Sequence, residues 1–144
     1  MDDNAHVLMR YASGARGMLW ASHVAVGNEN GLRLRVYGER GGLDWSQEHP
    51  NHLQFTRVGQ PMQLLTRGSG SVLPQAAQRA TRIPPGHPEG YLEGFATLYA
   101  EAAELIRCED KADHLLPGLF DGLLGMAFIS SVLASAKTKA DGAA

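Results

Sequence analysis

The chain has 144 residues, 44% of them hydrophobic, which fits one domain at the usual ~100–200 residues and is enough to bury a core. Thirteen Lys+Arg against fifteen Asp+Glu leave a net charge of -2, without the basic surplus of a general nucleic-acid binder, and the single cysteine, Cys108, excludes an internal disulfide framework. No uninterrupted apolar run approaches the ~18 residues of a membrane span, and Met1-Asp2-Asp3 opens no signal peptide, so a cytoplasmic domain with no membrane or nucleic-acid partner is expected.

The first part, residues 1–66, reads as a sheet meander, because apolar residues alternate with period two between closely spaced turns. Ala5–Tyr11 and Ala15–Val26 are expected strands joined at Ser13-Gly14. A loop of residues tolerant of positive φ, Gly27-Asn28-Glu29-Asn30-Gly31, follows. Leu32–Gly38 alternates most cleanly, with Leu32, Leu34 and Val36 on one face and Arg33, Arg35 and Tyr37 on the other. Such a strand has one side on a core and one side wet or covered by something polar. Leu43–Gln47, His52–Arg57 and Met62–Thr66 complete the expected set, separated by Pro50-Asn51 and Gly59-Gln60-Pro61.

Residues 67–86 form a basic loop with no sustained period, although Gln75–Ala80 can make a helical turn. It carries Arg67, Arg79 and Arg82, and no acid occurs between Glu48 and Glu89. Loops beyond ~12–15 residues are commonly functional or disordered. Two readings stand: a lid that contacts an anion, substrate or neighbouring domain, and a solvated crossover. Residues 87–137 read as two helices. The first opens at Gly86-His87-Pro88 and buries Leu92, Phe95, Leu98, Tyr99, Ala102 and Ile106 at spacings of three and four. Asp121 caps the second, which runs to about Lys137 with Leu124, Phe128, Ile129, Val132 and Leu133 inward, and residues 138–144 are a frayed tail. The expected fold is α+β: an open, mostly antiparallel sheet of about six strands with two main helices on one face. Two helices cover one face only, so the other is expected to meet another subunit or domain.

Local catalytic motifs are missing. Gly68-Ser69-Gly70 has Leu73 where G-x-G-x-x-G needs its third glycine, and no Gly precedes a Lys, which removes the phosphate-cradling loops. His87-Pro88-Glu89 matches half of a zinc deaminase signature without the cysteine pair that completes it. The candidate site residues are His87, Glu89 and Tyr91, at a helix start after the basic loop, where an imidazole and a phenol beside Glu89 offer directional hydrogen-bonding groups to a small ligand. The plainer alternative makes His87 a cap and Tyr91 a core residue. His23 beside Trp20 reads as a satisfied sheet residue. Glu48, His49 and His52 have metal-ligand spacing but flank a Pro-Asn turn and read as exposed; Cys108 reads as a buried spacer. Arg33 and Arg35 read as a solvated face or as ion-pairing residues at an interface.

Taken together, Val7-Leu8-Met9-Arg10-Tyr11-Ala12-Ser13-Gly14-Ala15-Arg16-Gly17, Asn30 through Leu43, His87-Pro88-Glu89-Gly90-Tyr91 with Phe95, and Asp121-Gly122 followed by Gly125-Met126-Ala127-Phe128-Ile129 resemble the C-terminal domain of the Gfo/Idh/MocA oxidoreductases, over about residues 5–136. The resemblance implies a sheet that contributes to a sugar or polyol pocket and to a homo-oligomer interface. It also implies a partner Rossmann domain binding NAD(P), with a lysine as proton shuttle. The departures are equally specific. The only lysines are Lys111, Lys137 and Lys139, so the family's Glu-Lys-Pro motif has no counterpart, and its catalytic Asp and His have none before the first strand. The reading is thus a substrate-binding and oligomerisation domain that is inactive by itself, with no catalytic, cofactor or metal residues of its own and a separate Rossmann chain as a candidate partner. Its rivals are a self-associating scaffold domain and a truncated gene product.

Overall fold

The computed structural model describes residues 3–68, 75–107 and 115–140. Its elements in chain order are β1 (Asn4–Arg10), β2 (Arg16–Ser22), β3 (Arg33–Gly38), β4 (Gly41–Ser46), β5 (His52–Arg57), β6 (Gln63–Thr66), α1 (Gln75–Arg79), α2 (Tyr91–Ile106) and α3 (Leu119–Ala140). The fold class is α+β, with the six expected strands and two long helices in place, and with α1 as the short helical turn inside the basic loop. All strand pairing is antiparallel, in a two-stranded ladder β1-β2 and a four-stranded ladder β3-β4-β5-β6. The chain divides into two compact units, Met1–Gly27 with Leu115–Ala144, and Asn28–His114.

In the first unit, β1 and β2 pair from Asn4↔Ser22 to Arg10↔Arg16. Gly14, at φ 88, closes the turn, where its N–H donates to the Tyr11 carbonyl at 2.9 Å. Only a residue without Cβ takes this conformation without strain. Strand β2 stops at Ser22, short of the expected Val26; the last pairing contact is His23 N–H to the Asp3 carbonyl. His6 and Trp20 are cross-strand partners with stacked rings 6.1 Å apart, and Trp20 Nε1 donates to Asn4 Oδ1. Helix α3 starts two residues before Asp121, whose carboxylate accepts from Gly118 N–H at 2.8 Å, and it runs past Lys137. Residues 119–138 have the length and the mean hydropathy, 1.7, of a membrane span. The expectation of no such segment rested on uninterrupted apolar runs; Gly122, Gly125, Ser130, Ser131 and Ser135 break the run without lowering the average enough to exclude one.

In the second unit the register sorts side chains cleanly. Leu34 and Val36 of β3 lie opposite Trp45 and Leu43 of β4, and these continue to Leu53 and Phe55 of β5 and on to Leu65 of β6. Arg33, Arg35, Tyr37, Asp44, Gln54 and Thr56 take the other face, as the alternation in β3 demands. Two adjacent glycines begin β4 for different reasons. A Cβ on Gly41 would stand 2.4 Å from the Thr56 carbonyl oxygen, whereas a Cβ on Gly42 would press chiefly on the Tyr37 ring, at 2.9 Å, with the Val36 carbonyl at an ordinary 3.6 Å.

The expected buried stripe of α2 is corrected. Leu92, Phe95, Leu98, Tyr99 and Ile106 are all exposed, and the residue that α2 buries is Glu101. On α3, Leu124, Phe128, Ile129 and Leu133 are exposed as well. Among the described residues no hydrophobic side chain is buried, and the two buried polar residues are Glu89 and Glu101. The apolar spacing of α2 is real, but nothing described within its own unit covers the stripe. Cys108 and residues 141–144 of the tail lie outside the described residues.

Candidate functional site

The site grows out of a loop with few means of holding itself. Between Ile83 and Pro88 three of six residues are proline, so this stretch has few N–H donors and cannot form a backbone ladder. The missing donors come from Arg67, just beyond β6. Its Nε donates to Asn51 Oδ1 at 2.7 Å, Nη1 to the Ile83 carbonyl at 2.8 Å, and Nη2 to the Pro84 and His87 carbonyls at 3.4 and 2.7 Å. Nη1 also pairs with Glu89 Oε2 at 2.6 Å. Glu89 in turn accepts from the Arg82 and Ile83 N–H groups, and its own N–H donates to Asn51 Oδ1 at 3.2 Å. The side chains of Arg67 and Glu89 are 15% and 3% exposed, so the pair sits in a low-dielectric place where both charges need their partners.

Two of the three arginines of the basic loop are held in ion pairs. Arg67 belongs to Glu89, and Arg79 Nη2 donates to Glu101 Oε1, which ties α1 to α2. The acids that answer these arginines lie outside the loop in sequence, 22 residues on in both cases.

Beyond the loop, α2 begins at Tyr91, later than the expected start at His87-Pro88. Gly90 is its N-cap residue, and Glu93 Oε2 accepts from Gly90 N–H at 2.8 Å, taking up one of the helix's orphan donors. That hydrogen bond, with the nearby Arg82 and Arg67 charges, holds the Glu93 carboxyl below its ordinary range.

The turn after β4 packs against this helix start. Trp45 Nε1 donates to the Pro50 carbonyl, and a Cβ on Gly90 would lie 3.0 Å from Pro50 Cγ. Between turn and helix lies an open cleft of about 420 Å³, lined by residues 48–52 and 88–93. Of the predicted site residues, Glu89 and Tyr91 line it. Tyr91 is exposed and meets Phe95 edge-to-face at 5.1 Å, so it is not a core residue. The His87 side chain is exposed and outside the lining; its backbone holds the loop, through N–H to the Pro84 carbonyl and the Arg67 contact. Glu89 is placed differently from a substrate carboxylate, since both of its oxygens are engaged by Arg67 and backbone N–H groups.

Sequence reasoning passed over His49, His52 and Asn51. The two histidines are exposed as expected, yet they face the cleft with Glu48. The Glu-His-x-x-His spacing was the available signal. Asn51 looked like an ordinary turn residue, and nothing in its neighbours announces a double acceptor. Among the described residues no group of three His, Cys, Asp or Glu could hold a metal ion.

A second, shallow concavity of about 450 Å³ lies on the four-stranded sheet, lined by Tyr37, Asp44, Gln54 and Thr56 among others. Arg33 reaches Asp44 through two parallel hydrogen bonds. These hold the Asp44 carboxyl below its ordinary range and raise the Arg33 guanidinium. Arg33 thus pairs within its own sheet.

The architecture is that of an α+β domain whose described strands pair only antiparallel, with none of the parallel pairing that a dinucleotide-binding unit needs among the described residues. Residues 1–142 match the oxidoreductase family's C-terminal alpha/beta domain (the Gfo/Idh/MocA C-terminal family), and the chain belongs to this family. It is 32% identical over 142 residues to an uncharacterized oxidoreductase, YfiI, of Bacillus subtilis, covering 94% of this chain and 36% of that protein. Among solved structures, an oxidoreductase from Sinorhizobium meliloti is 50% identical with a TM-score of 0.86, covering 95% of this chain and 40% of its own. An inositol dehydrogenase homologue from Azotobacter vinelandii, complexed with NADH and myo-inositol, is 38% identical with a TM-score of 0.84 over 94% of this chain and 37% of its own. The chain thus spans well under half the length of these relatives.

Proposed function

We propose that this chain is the substrate-side domain of an NAD(P)-dependent oxidoreductase acting on a sugar or polyol, and that the cleft beside Tyr91 meets the substrate hydroxyls. The observation that carries the reading is the family membership together with 38% identity to a relative complexed with NADH and myo-inositol. Tyr91, His49 and His52 offer donors and acceptors along an open cleft, and His87 immediately precedes the lining residue Pro88 in sequence; a polyol needs several such directional partners.

The residues present do not fit the dinucleotide itself. Every described strand pair is antiparallel, whereas the dinucleotide fingerprint needs a strand, a glycine-rich turn and a helix within a parallel βαβ unit. In this reading a different domain holds NAD(P), and the present residues bind and orient the substrate. Homo-oligomer formation through the sheet and a cytoplasmic location belong to the same proposal, with α3 as a packing helix.

The test is calorimetric titration of the purified chain with myo-inositol, related polyols and hexoses, repeated on Tyr91→Phe and His87→Ala. Saturable binding that weakens at least about tenfold in a variant, the loss of roughly one to two hydrogen bonds, supports the pocket. Micromolar, saturable NAD(H) binding by this chain would refute the division of labour. A second reading, a self-associating scaffold without a pocket, is favoured by the exposed Leu34, Val36, Leu43 and Leu65 on the apolar sheet face. It predicts a discrete oligomer in sedimentation and no polyol binding by any form.

A further inference from the structure

The guanidinium of Arg67 is heavily engaged. It donates four hydrogen bonds, to Asn51 Oδ1 and the Ile83, Pro84 and His87 carbonyls, and its Nη1 pairs as an ion with Glu89 Oε2, so five acceptor atoms gather around it. Those acceptors come from the β4–β5 turn, the proline loop and the residue before the α2 cap. Glu89 does the complementary task, accepting the Arg82 and Ile83 N–H groups at the entrance of the loop. Charged donor and charged acceptor together replace the ladder that Pro84, Pro85 and Pro88 cannot make. Gly68 completes the arrangement: at φ 73 it lets Pro85 approach so closely that a Cβ would be 3.1 Å from Pro85 Cγ.

We infer that Arg67 is a positioning residue, which with Glu89 and Asn51 forms a latch that fixes the loop 82–90 against the β4–β5 turn and so sets the shape of the cleft and the presentation of Tyr91 within it. The role is specific to arginine. Lysine carries the charge but only three donors from a single nitrogen, so Arg67→Lys cannot keep all five contacts and gives up at least two of them. The latch acts through geometry and touches no ligand. Its consequence for polyol binding rests on the reading given above, while its consequence for loop order does not.

The experiment uses the full chain in two arms. In the first, without ligand, amide hydrogen exchange is compared between wild type and Arg67→Lys. The latch requires at least about tenfold faster exchange at the Arg82, Ile83 and Glu89 amides, with the β3–β5 amides unchanged. Equal protection of those three amides in Arg67→Lys overturns the inference, and so does a uniform loss across β3–β5, which would make Arg67 a general stability residue. Should Arg67→Lys fail to fold, Glu89→Gln serves instead: it keeps a carbonyl acceptor but removes the charge, and the same local acceleration is required. In the second arm, myo-inositol titrates both proteins. Weaker binding in a variant whose β3–β5 protection is intact supports positioning, and unchanged binding with a loosened loop overturns the claim about the cleft. Absence of binding by wild type counts against the polyol reading and leaves the first arm to decide the latch.

Discussion

Asn51 offers the sharpest test of how the site is built. Its Oδ1 accepts from Arg67 Nε at 2.7 Å and from Glu89 N–H at 3.2 Å, and both donors are partly shielded from water. In Asn51→Ala the two donors keep their places but lose their acceptor. A hydrogen bond to a charged group contributes about 1.5–3 kcal/mol and a neutral one about 0.5–1.5, with the long second contact at the low end. A net loss of about 2–3 kcal/mol follows, because water reaching a half-buried site recovers part of the deficit. Urea unfolding is the assay. With a slope of about 1–3 kcal/mol per molar, the midpoint falls by roughly 0.7–3 M at an unchanged slope. Gln60→Ala, in an exposed turn, is the control and stays within about 0.5 kcal/mol of wild type. An Asn51→Ala midpoint indistinguishable from the Gln60→Ala midpoint would show that the double acceptor contributes nothing, and the account of the latch would lose its anchor.

Further expectations concern neighbouring features. Gly41→Ala places a methyl against the Thr56 carbonyl and must shift the β4–β5 ladder, at a cost of about 1–3 kcal/mol, whereas Gly42→Ala needs only a swing of the exposed Tyr37 ring; thermal melts should rank the two in that order. Arg79→Met removes a partner from the buried Glu101 carboxylate; since Arg79 itself is 31% exposed, the full 3–5 kcal/mol of a buried pair is reduced to about 1–3 in denaturant titration. For Glu93 the folded pKa is lowered, chiefly by the Gly90 N–H. Its contribution to the start of α2 is therefore present above the ordinary carboxylate range and is lost as pH falls through the depressed value. In circular dichroism, wild type should be the more helical at neutral pH, and Glu93→Gln should converge with it in acid.

Period-two alternation located the strands because it reports which side of a pleat each residue occupies, and β5 was recovered at both ends. Boundaries drifted where composition misleads. The apolar run Val24-Ala25-Val26 extends the β2 pattern, but β1 has no residues opposite it. Pro88 suggested an early helix start, and Gly90 with Glu93 set the real one at Tyr91. The cleft was legible in part: Glu89 and Tyr91 line it, and the resemblance pointed to their motif. The latch was not legible. Arg67, Asn51 and Glu89 meet across separations of 16, 22 and 38 residues, and no local pattern encodes such a meeting. The burial of α2 also escaped prediction, because periodicity shows which stripe is apolar and not what lies over it.

The division of the chain has a consequence for biosynthesis. The unit Asn28–His114 is contiguous, and its strands pair only with their sequence neighbours, so it can assemble as it leaves the ribosome. The other unit joins Met1–Gly27 to Leu115–Ala144, segments separated in synthesis by the whole of the contiguous unit. Translation of the whole intervening stretch therefore separates the synthesis of the β1–β2 hairpin from that of α3. A lone two-stranded hairpin is marginal in water, and this one displays Leu8, Met18 and Trp20 to any nascent neighbour during the delay.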